Sequence, residues 1–406
     1  MEKSVSVQRA QELISRSVDP AGIETISAAA AQGRILAGEV VSPLDQPPWP
    51  RSPLDGYAFR ASDSCGAEKK SPVSLRVVGM LCAGDWPELA VGPGQAVRIM
   101  TGAPIPPDCD CVLRQEDTDL GMETVRIYKE LRPWDNYCRA GEDFRAGDVI
   151  LSPGTRLTGN ALGTLAAAGL LRREVSLSVY RRARIALLCT GEELSPSSVY
   201  PLPRGKIYSS AAAAISSRLE QLGAEVTFLR EELRDDAALL CETMRLAAES
   251  ADALITTGGV SVGVKDMVPE ALSLLGAKPV FSGVRLKPGS PLSFSLRGRM
   301  PILSLSGNPF AAGATFELFG RELLSALMGC EDLLPQRVQG QLATPFPKDS
   351  PVCRYVRAAY RAGRVTLPQG HSSGQLASAA GCNCLAELPA GKGPFAAGDT
   401  VWVYLL

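Results

Sequence analysis

The stretch Thr256-Thr257-Gly258-Gly259-Val260-Ser261-Val262-Gly263, followed by Asp266, decides how the rest of the chain is interpreted. It comes after the apolar run 253–255, which predicts a short buried strand. Three glycines among small hydroxyl residues indicate a turn in which the backbone approaches something closely. A Gly-rich turn between a strand and a helix directs N–H groups at one point, which suits an anion. A tight turn with a purely structural role is the alternative.

Strands and helices alternate between residues 174 and 328, which predicts an α/β domain with a parallel sheet. Ligands of such sheets bind at the carboxyl ends of the strands. Acidic and small polar residues follow four of these strands: Glu192 and Glu193, Asp235 and Asp236, the stretch 258–266, and the stretch 306–309. Their shared position favours a ligand site, and the carboxylates are hard oxygen ligands suited to magnesium.

Helical patterns lie on both sides of a strand-rich region. Residues 1–40 predict two helices, the second over 26–37, and 158–171 predict a further helix. Residues 59–139 are rich in strands and turns. We therefore expect a β-domain inserted between the helical pieces 1–40 and 140–173.

The C-terminal region 330–406 is turn-rich with alternating strands, which predicts a small barrel or sandwich. A polar loop in it holds His371, the single histidine of the chain. One histidine argues against His-based metal chemistry and against a Ser-His-Asp triad. His371 itself is expected to be a solvated loop residue.

The composition excludes several classes of protein. The 406 residues carry a formal net charge of −1, so no bulk field favours nucleic acid or an anionic membrane. No apolar run reaches the roughly 20 residues of a transmembrane helix, and the N-terminus has no signal-peptide core. Eleven irregularly spaced cysteines fit reduced thiols. We expect a cytoplasmic protein with no nucleic-acid or membrane partner.

Nine motifs in order along the whole chain resemble the MoeA family of molybdopterin molybdenumtransferases, which includes the E domain of gephyrin. They are SPLDGYA at 52–58, RIMTGAPIP at 98–106, RQED at 114–117, RAGED at 139–143, TGEEL at 190–194, GGVSVG at 258–263 with Asp266, LKPGSP at 286–291, SGNP at 306–309 and SSGQL at 372–376. The resemblance implies an α/β plus β architecture with several domains.

The implied domains are an elongated helical domain for dimerisation, an inserted β-domain, a parallel α/β domain that binds molybdopterin, and a C-terminal β-barrel. On this chain they correspond to 1–46 with 140–173, to 47–139, to 174–329 and to 330–406. The resemblance implies homodimers, with the active cleft between the α/β domain of one subunit and the β-domain and elongated domain of the other.

The implied reaction consumes molybdopterin-AMP and molybdate, inserts the metal at the dithiolene, and releases AMP and molybdenum cofactor with a divalent cation such as Mg²⁺. A molybdopterin adenylyltransferase and molybdoenzyme chaperones are the protein partners that the resemblance implies. Adenylylation of molybdopterin is a related alternative, disfavoured because proteins with that activity are single α/β domains. A scaffold that has kept the fold without the chemistry is the alternative from another class.

The resemblance also implies site residues. The catalytic set is Asp55, Thr101, Glu193, Asp236, Asp266 and Lys287, of which Glu193, Asp236 and Asp266 are assigned to magnesium. The residues assigned to pterin, phosphate and oxyanion are Thr190, Gly191, Gly258, Gly259, Ser261, Gly263, Arg285, Pro288, Ser290, Gly307, Asn308, Pro309, Arg357 and Ser373.

The sequence departs from the family pattern near the expected oxyanion pocket. Many members carry lysines where this chain has Gly283 and Ser290, and most have proline at Ser306. Arg285 is the residue that we expect to replace one missing charge. Two opposite charges about 4 Å apart attract each other by roughly 4 kcal/mol at an effective dielectric near 20. The loss of two lysines should therefore weaken oxyanion binding, and the sequence leaves open whether molybdate or tungstate is preferred.

Overall fold

A computed structural model describes residues 1–260, 267–370 and 374–406. Within these ranges the helices are α1 (Val7–Ser17), α2 (Gly159–Ala167), α3 (Ser210–Gln221), α4 (Ala237–Ala247), α5 (Val268–Leu274), α6 (Pro309–Thr315) and α7 (Arg321–Met328). The strands are β1 (Glu2–Val5), β2 (Ile23–Ser27), β3 (Val40–Val41), β4 (Gly56–Phe59), β5 (Val73–Leu81), β6 (Gln95–Ile99), β7 (Cys111–Arg114), β8 (Thr124–Ile127), β9 (Val149–Leu151), β10 (Ser176–Tyr180), β11 (Arg184–Thr190), β12 (Leu194–Ser195), β13 (Ile207–Tyr208), β14 (Glu225–Leu233), β15 (Ala253–Thr257), β16 (Lys278–Val284), β17 (Leu286–Lys287), β18 (Ser293–Arg297), β19 (Met300–Leu305), β20 (Arg337–Leu342), β21 (Cys353–Arg361), β22 (Arg364–Thr366), β23 (Cys384–Leu388) and β24 (Thr400–Leu405).

A seven-stranded sheet in the order β1-β16-β18-β19-β15-β11-β14 forms the largest body. Strands β19, β15, β11 and β14 are parallel, and β18 lies antiparallel between β16 and β19. Residues of β11 alternate between two apolar clusters, one shared with α1, α3, α6 and α7 and the other with α4 and α5. Helices therefore cover both faces, which explains why the inner strands β11, β15 and β19 are almost wholly buried. The predicted parallel α/β sheet is confirmed.

The N-terminal segment packs with this body. Strand β1 pairs in parallel with β16, and Val7, Ala10 and Ile14 of α1 are buried in the cluster that α3 and α7 share. Ser6 caps α1, because its hydroxyl oxygen accepts the Arg9 N–H at 3.1 Å. The first predicted helix is confirmed, but residues 2–17 lie with the α/β sheet, whereas the sequence-based division places 1–46 in the elongated domain.

The second helix predicted in this region, over 26–37, is wrong. Strand β2 pairs antiparallel with β10 over Ile23–Ser27, and a single 3-10 turn follows at Ala28–Ala30. Gly33 then has φ +73°, which interrupts helical backbone. Pairing with a strand about 150 residues away overrides the local helical spacing.

The elongated region consists of two small β-ribbons, β2–β10 and β3–β9, together with α2. Helix α2 confirms the helix predicted over 158–171, although it ends at Ala167. Gly169 follows with φ +68°, the left-handed conformation that ends helices. Thr158 occupies the N-cap position, but its hydroxyl makes no capping hydrogen bond.

The inserted β-domain contains a five-stranded sheet in the order β7-β4-β6-β5-β8. Strand β4, which lies between β7 and β6, begins at Gly56, where a Cβ would lie 1.9 Å from the carbonyl oxygen of Leu113 on β7. Only glycine fits this close approach, so Gly56 in the motif SPLDGYA serves the sheet.

The C-terminal domain is a small β-barrel. Strands β21, β22, β20, β24 and β23 are neighbours in that order, and β21 also pairs with β23, which closes the ring. Strand β17 lies outside the ring and pairs in parallel with the first residues of β21. The predicted barrel is confirmed, and β17 ties it to the α/β body.

Within the described residues, no helix is both long enough and apolar enough to cross a membrane. All eleven cysteines are free thiols. Burial raises the pKa of Cys109 to about 12, so this side chain stays protonated at neutral pH.

Candidate functional site

The loops at the carboxyl ends of β11, β15 and β19 enclose a cleft of about 300 Å³. It is lined by Thr190, Gly191, Glu193, Asp235, Gly258, Gly259, Val260, Pro291, Ser306 and Gly307. All four predicted loop positions therefore contribute to one cleft at this edge of the sheet, with Asp235 coming from the loop between β14 and α4. Of the residues expected to hold the pterin, phosphate and oxyanion, the cleft brings together Thr190, Gly191, Gly258, Gly259 and Gly307.

The glycines of this cleft are required by the packing of one loop on another. Gly258 has φ +92°, and a Cβ there would lie 2.3 Å from the carbonyl oxygen of Thr190. A Cβ on Gly307 would lie 3.0 Å from Cα of Gly258. The N–H of Gly258 donates to the carbonyl of Leu305 at 3.1 Å, so this amide is used inside the protein. The glycines therefore shape the cleft wall, and the Gly258 amide does not serve as an anion donor.

Two carboxylates line the cleft. The Glu193 side chain lies against Gly191, where a Cβ would come within 2.6 Å of Oε2. Asp235 lines the same cleft from the loop before α4. The position of Asp235 after a strand already marks it as a possible magnesium ligand in the sequence, although the set of site residues that the resemblance implies includes Asp236 and not Asp235.

The neighbouring carboxylate, Asp236, is the N-cap of α4. Its Oδ1 accepts the N–H of Leu239 at 2.8 Å, which satisfies one of the free donors of the first helical turn. Of two adjacent aspartates at a helix start, only one can be the cap. The sequence leaves open which of them it is, and the structure gives the cap to Asp236 and the cleft to Asp235.

The SGNP motif at 306–309 likewise has one part that starts a helix and another part that lines the cleft. Asn308 caps α6 by accepting the N–H of Ala311 at 3.2 Å, and Pro309 is the first helical residue. Ser306 and Gly307, just before the cap, line the cleft. The motif therefore starts a helix with its second half and forms the cleft wall with its first half.

The loop that begins at Lys287 leads from the barrel to the cleft. Lys287 is exposed on β17, and no salt bridge joins it to a described residue. Pro288 and Ser290 follow, with Ser290 exposed and its carbonyl accepting the N–H of Val284. Pro291 lines the cleft. Lys287 and Ser290 thus lie on the loop that forms one rim.

Arg285 does not line the cleft that holds Glu193. Its N–H and its Nη1 donate to the carbonyls of Val5 and Ser4, at 2.8 and 3.2 Å. It lines a separate cavity with Ser6, Cys353 and Glu387. The expectation that Arg285 replaces a missing lysine in the oxyanion pocket therefore finds no support in its position.

Arg357, on β21, is buried at the junction of barrel and α/β body. Its Cζ lies 4.3 Å from the centroid of the Phe310 ring, and it is 2% exposed. Burial lowers the pKa of its guanidinium. Arg357, Pro309 and Phe310 line an apolar cavity of about 230 Å³ beside α6, so Arg357 does not line the cleft that holds Glu193.

In the β-domain, Asp55 and Thr101 form a pair. Asp55 Oδ1 accepts both the N–H and the hydroxyl of Thr101, each at 2.7 Å. These hydrogen bonds lower the pKa of Asp55. Among the described residues, no hydrogen bond or salt bridge joins this pair to the α/β cleft.

Four of the candidate residues, Ser261, Gly263, Asp266 and Ser373, lie outside the described residues, as does His371. Over 1–260, 267–370 and 374–406, no three carboxylate, thiol or imidazole side chains gather closely enough to form a metal centre. The carboxylates that line the cleft within these ranges are Glu193 and Asp235.

Three protein families match the chain in succession. They are described as "MoeA N-terminal region (domain I and II)" over residues 5–169, "Probable molybdopterin binding domain" over 186–326, and "MoeA C-terminal region (domain IV)" over 339–406. The first match spans α1, the β-domain and most of the elongated region, the second spans most of the α/β body from β11 to α7, and the third spans most of the barrel.

Proteins similar to this chain over most of its length are named molybdopterin molybdenumtransferase. A molybdopterin molybdenumtransferase of Staphylococcus aureus is 34% identical over 385 residues, covering 94% of this chain and 90% of the relative. The enzyme of that name from Staphylococcus epidermidis is 33% identical over 377 residues, covering 92% and 88%. The crystal structure of the molybdopterin biosynthesis moeA protein from Pyrococcus horikoshii OT3 is 26% identical, with a TM-score of 0.84 over 99% of this chain and 100% of that one. This chain therefore belongs to the MoeA family of molybdopterin molybdenumtransferases.

Proposed function

We propose that the chain is a molybdopterin molybdenumtransferase, which inserts molybdate into adenylylated molybdopterin and releases AMP. The observation that carries the proposal is the cleft at the carboxyl ends of β11, β15 and β19, where glycine backbone and two carboxylates meet. In an open α/β sheet this is where ligands bind. Its presence in a chain related along its full length to enzymes of that name supports the same chemistry.

The pterin and its phosphate are assigned to the glycine wall. Gly258, Gly259 and Gly307 present no side chain there, so a planar ring can approach the backbone closely. Thr190 and Ser306 offer hydroxyl groups at the same wall. The motif residues Ser261, Gly263 and Asp266 continue this loop and are proposed to complete it.

The donor set of the cleft fits magnesium. Mg²⁺ in phosphate sites is held by one or two carboxylates, while water and substrate phosphates complete its shell. Glu193 and Asp235 are the carboxylates within the described residues that meet this requirement, and Asp266 is proposed as a third. When bound, the ion neutralises negative charge on the phosphate as AMP leaves. Asp236, as the cap of α4, holds the loop that carries Asp235.

Lys287 is proposed as the principal cation for the metal oxyanion. It lies on the loop whose far end, Pro291, lines the cleft, with Ser290 between them as a neutral hydroxyl. Gly283 has φ +80°, a conformation that a lysine would adopt only with strain. A lysine at this position would therefore require a different backbone conformation from the one that Gly283 adopts. The choice between molybdate and tungstate is proposed to rest on Lys287 and Ser290, with Ser373 of the C-terminal domain as a further candidate, whereas Arg357 lines the separate cavity beside α6.

A homodimer is proposed to complete the site. Asp55 and Thr101 lie in the β-domain, and no hydrogen bond between described residues connects them to the cleft of their own chain. A second subunit that places its β-domain over this cleft would bring the two halves together. A cytoplasmic location, and contacts with a molybdopterin adenylyltransferase and with molybdoenzyme chaperones, belong to the same proposal.

The test is an assay of AMP release. Purified chain is incubated with molybdopterin-AMP and Mg²⁺, with molybdate, with tungstate or with neither. We expect release that depends on an oxyanion, and its loss in a Glu193→Gln, Asp235→Asn double variant. Glu249→Gln, an exposed residue beyond α4, is the control and should behave as wild type. Absence of oxyanion-dependent release would favour a scaffold that binds molybdopterin without converting it.

A further inference from the structure

Two tryptophans are exposed side by side in the β-domain. Trp49 and Trp86 are 42% and 63% exposed, and their ring centroids lie 5.6 Å apart at 87°. Tryptophan rings are normally covered, since each carries a large apolar surface. Two adjacent exposed indole rings are typical of a surface that binds a ligand or a partner.

The segment that carries Trp49 is held next to the loop of Thr101. The N–H of Ser52 donates to the carbonyl of Ala103, and the N–H of Gly102 donates back to the carbonyl of Ser52, at 2.9 and 2.8 Å. The N–H of Ile105 donates to the carbonyl of Pro50 at 2.9 Å. Residues 50–52 therefore run beside 102–105, and the same segment continues to Asp55.

The turn that carries Trp86 reaches the same place from β5. The N–H of Met100 donates to the carbonyl of Leu81 at 2.9 Å, and a Cβ on Gly102 would lie 3.4 Å from the Cβ of Ala83. The turn is rigid, because Asp85 Oδ2 accepts the N–H of Cys82 at 2.7 Å. The three loops that bear Trp49, Trp86 and the Asp55–Thr101 pair thus converge at one edge of the β-domain.

We propose that Trp49 and Trp86 form a stacking wall for a planar heteroaromatic ring of the substrate, next to Asp55 and Thr101. Such rings stack on exposed indoles, and this contact tolerates different ring chemistries because each has a π-face. The inference rests on the proposed function, whose substrate carries two rings of this class, an adenine and a pterin. Nothing in the pair itself selects one of them, so the experiment separates the two.

The experiment is calorimetric titration of the full-length chain with AMP, with pterin-6-carboxylate and with ribose 5-phosphate, which has no ring to stack. We expect one of the two aromatic probes to bind, and ribose 5-phosphate to bind far more weakly than AMP if AMP is that probe. Trp86→Ala should weaken the binding of the preferred probe roughly tenfold to hundredfold, the range for the loss of one stacked base, while Trp86→Phe should retain most of it. Trp402→Ala, which removes an exposed tryptophan of the barrel, is the matched control and should not change the affinity.

Equal affinity of Trp86→Ala, Trp49→Ala and wild type for both rings would overturn the proposal, and so would failure of the wild type to bind either ring at millimolar concentration. Light scattering on the same variants adds a second readout. A shift in oligomeric state with unchanged ring binding would assign the pair to a contact between copies of this chain and would also overturn it. The transferase proposal stands or falls separately, because oxyanion-dependent AMP release by the wild type does not depend on these outcomes.

Discussion

Asp55 and Thr101 lie 46 residues apart, yet one carboxylate oxygen accepts two hydrogen bonds from the same threonine, each at 2.7 Å. Both bonds favour the charged form of the carboxylate, and they lower its pKa. Asp55 is therefore ionised at neutral pH and fixed in direction, although it lies at the surface of the β-domain. A fixed carboxylate suits a role in positioning a substrate or a cation.

Replacement of Thr101 by valine tests this relationship. Thr101→Val removes the hydroxyl donor and keeps the backbone donor, so the pKa of Asp55 should rise toward the ordinary value of about 3.9. NMR titration of the Asp55 carboxyl carbon measures the change. Thr124→Val, on the exposed face of β8, should leave the pKa of Asp55 where it is. An unchanged pKa in Thr101→Val would mean that the hydroxyl bond does not form in solution.

The close approach of the cleft loops predicts that Gly258 cannot be replaced. Gly258→Ala places a Cβ 2.3 Å from the Thr190 carbonyl oxygen, whereas Gly276→Ala, at φ +74°, meets nothing within 4 Å. In both variants the alanine must adopt a positive φ, which costs each about 1–2 kcal/mol of stability. We expect Gly258→Ala to lower the thermal midpoint clearly more than Gly276→Ala and to abolish molybdopterin binding. Equal thermal shifts in the two variants would contradict the packing described for the cleft.

The division of work between Asp235 and Asp236 can be tested with amide variants. Asn is as good an N-cap as Asp, so Asp236→Asn should keep the stability of α4, whereas Asp236→Ala should lose about 1 kcal/mol. Asp235→Asn should weaken the magnesium dependence of AMP release. Denaturation curves and a magnesium titration of turnover measure the two effects. Loss of turnover in Asp236→Asn at full stability would return Asp236 to the metal site.

The ionisation of Asp252 should make the stability of the α/β body depend on pH. Burial raises the pKa of its carboxylate, but hydrogen bonds from Arg181 and Arg184 outweigh burial, so the pKa is lowered overall. A lowered folded-state pKa gives stability that is present above the unfolded value, about 3.9, and is lost as pH falls through the folded value.

Asp252→Asn should therefore destabilise the α/β body at pH 7 by about 1–3 kcal/mol, because two arginines lose a charged acceptor. The difference from wild type should shrink as the pH falls below about 4. Urea denaturation at several pH values gives the result. Asp19→Asn, which breaks an exposed contact with Arg299 at 3.7 Å, is the control and should cost little. A pH-independent difference would show that the lost stability comes from packing.

Patterns local to the chain predict much of this fold. The apolar strands and the polar residues after them predict both the α/β sheet and the edge at which the candidate cleft lies, because the carboxyl ends of parallel strands meet. The nine motifs predict the domain order. The glycines at 258 and 307 are visible in the sequence, but their reason is a contact between loops that only the structure shows.

Features that depend on distant pairing could not be predicted in this way. The start of the helix predicted over 26–37 instead belongs to β2, which pairs with β10, and β1 pairs with β16, which lies far along the chain. Two adjacent aspartates look alike in sequence, yet one caps α4 and the other lines the cleft. The Trp49–Trp86 pair likewise arises only when separate loops converge.

The account depends most directly on the stoichiometry of one reaction. Molybdopterin-AMP is incubated with the wild-type chain, Mg²⁺ and molybdate, and both the released AMP and the molybdenum bound to the pterin are quantified. The account predicts one molybdenum inserted for each AMP released, with neither product formed when molybdate is omitted. AMP release without molybdate, or no release with molybdate or tungstate present, would contradict it.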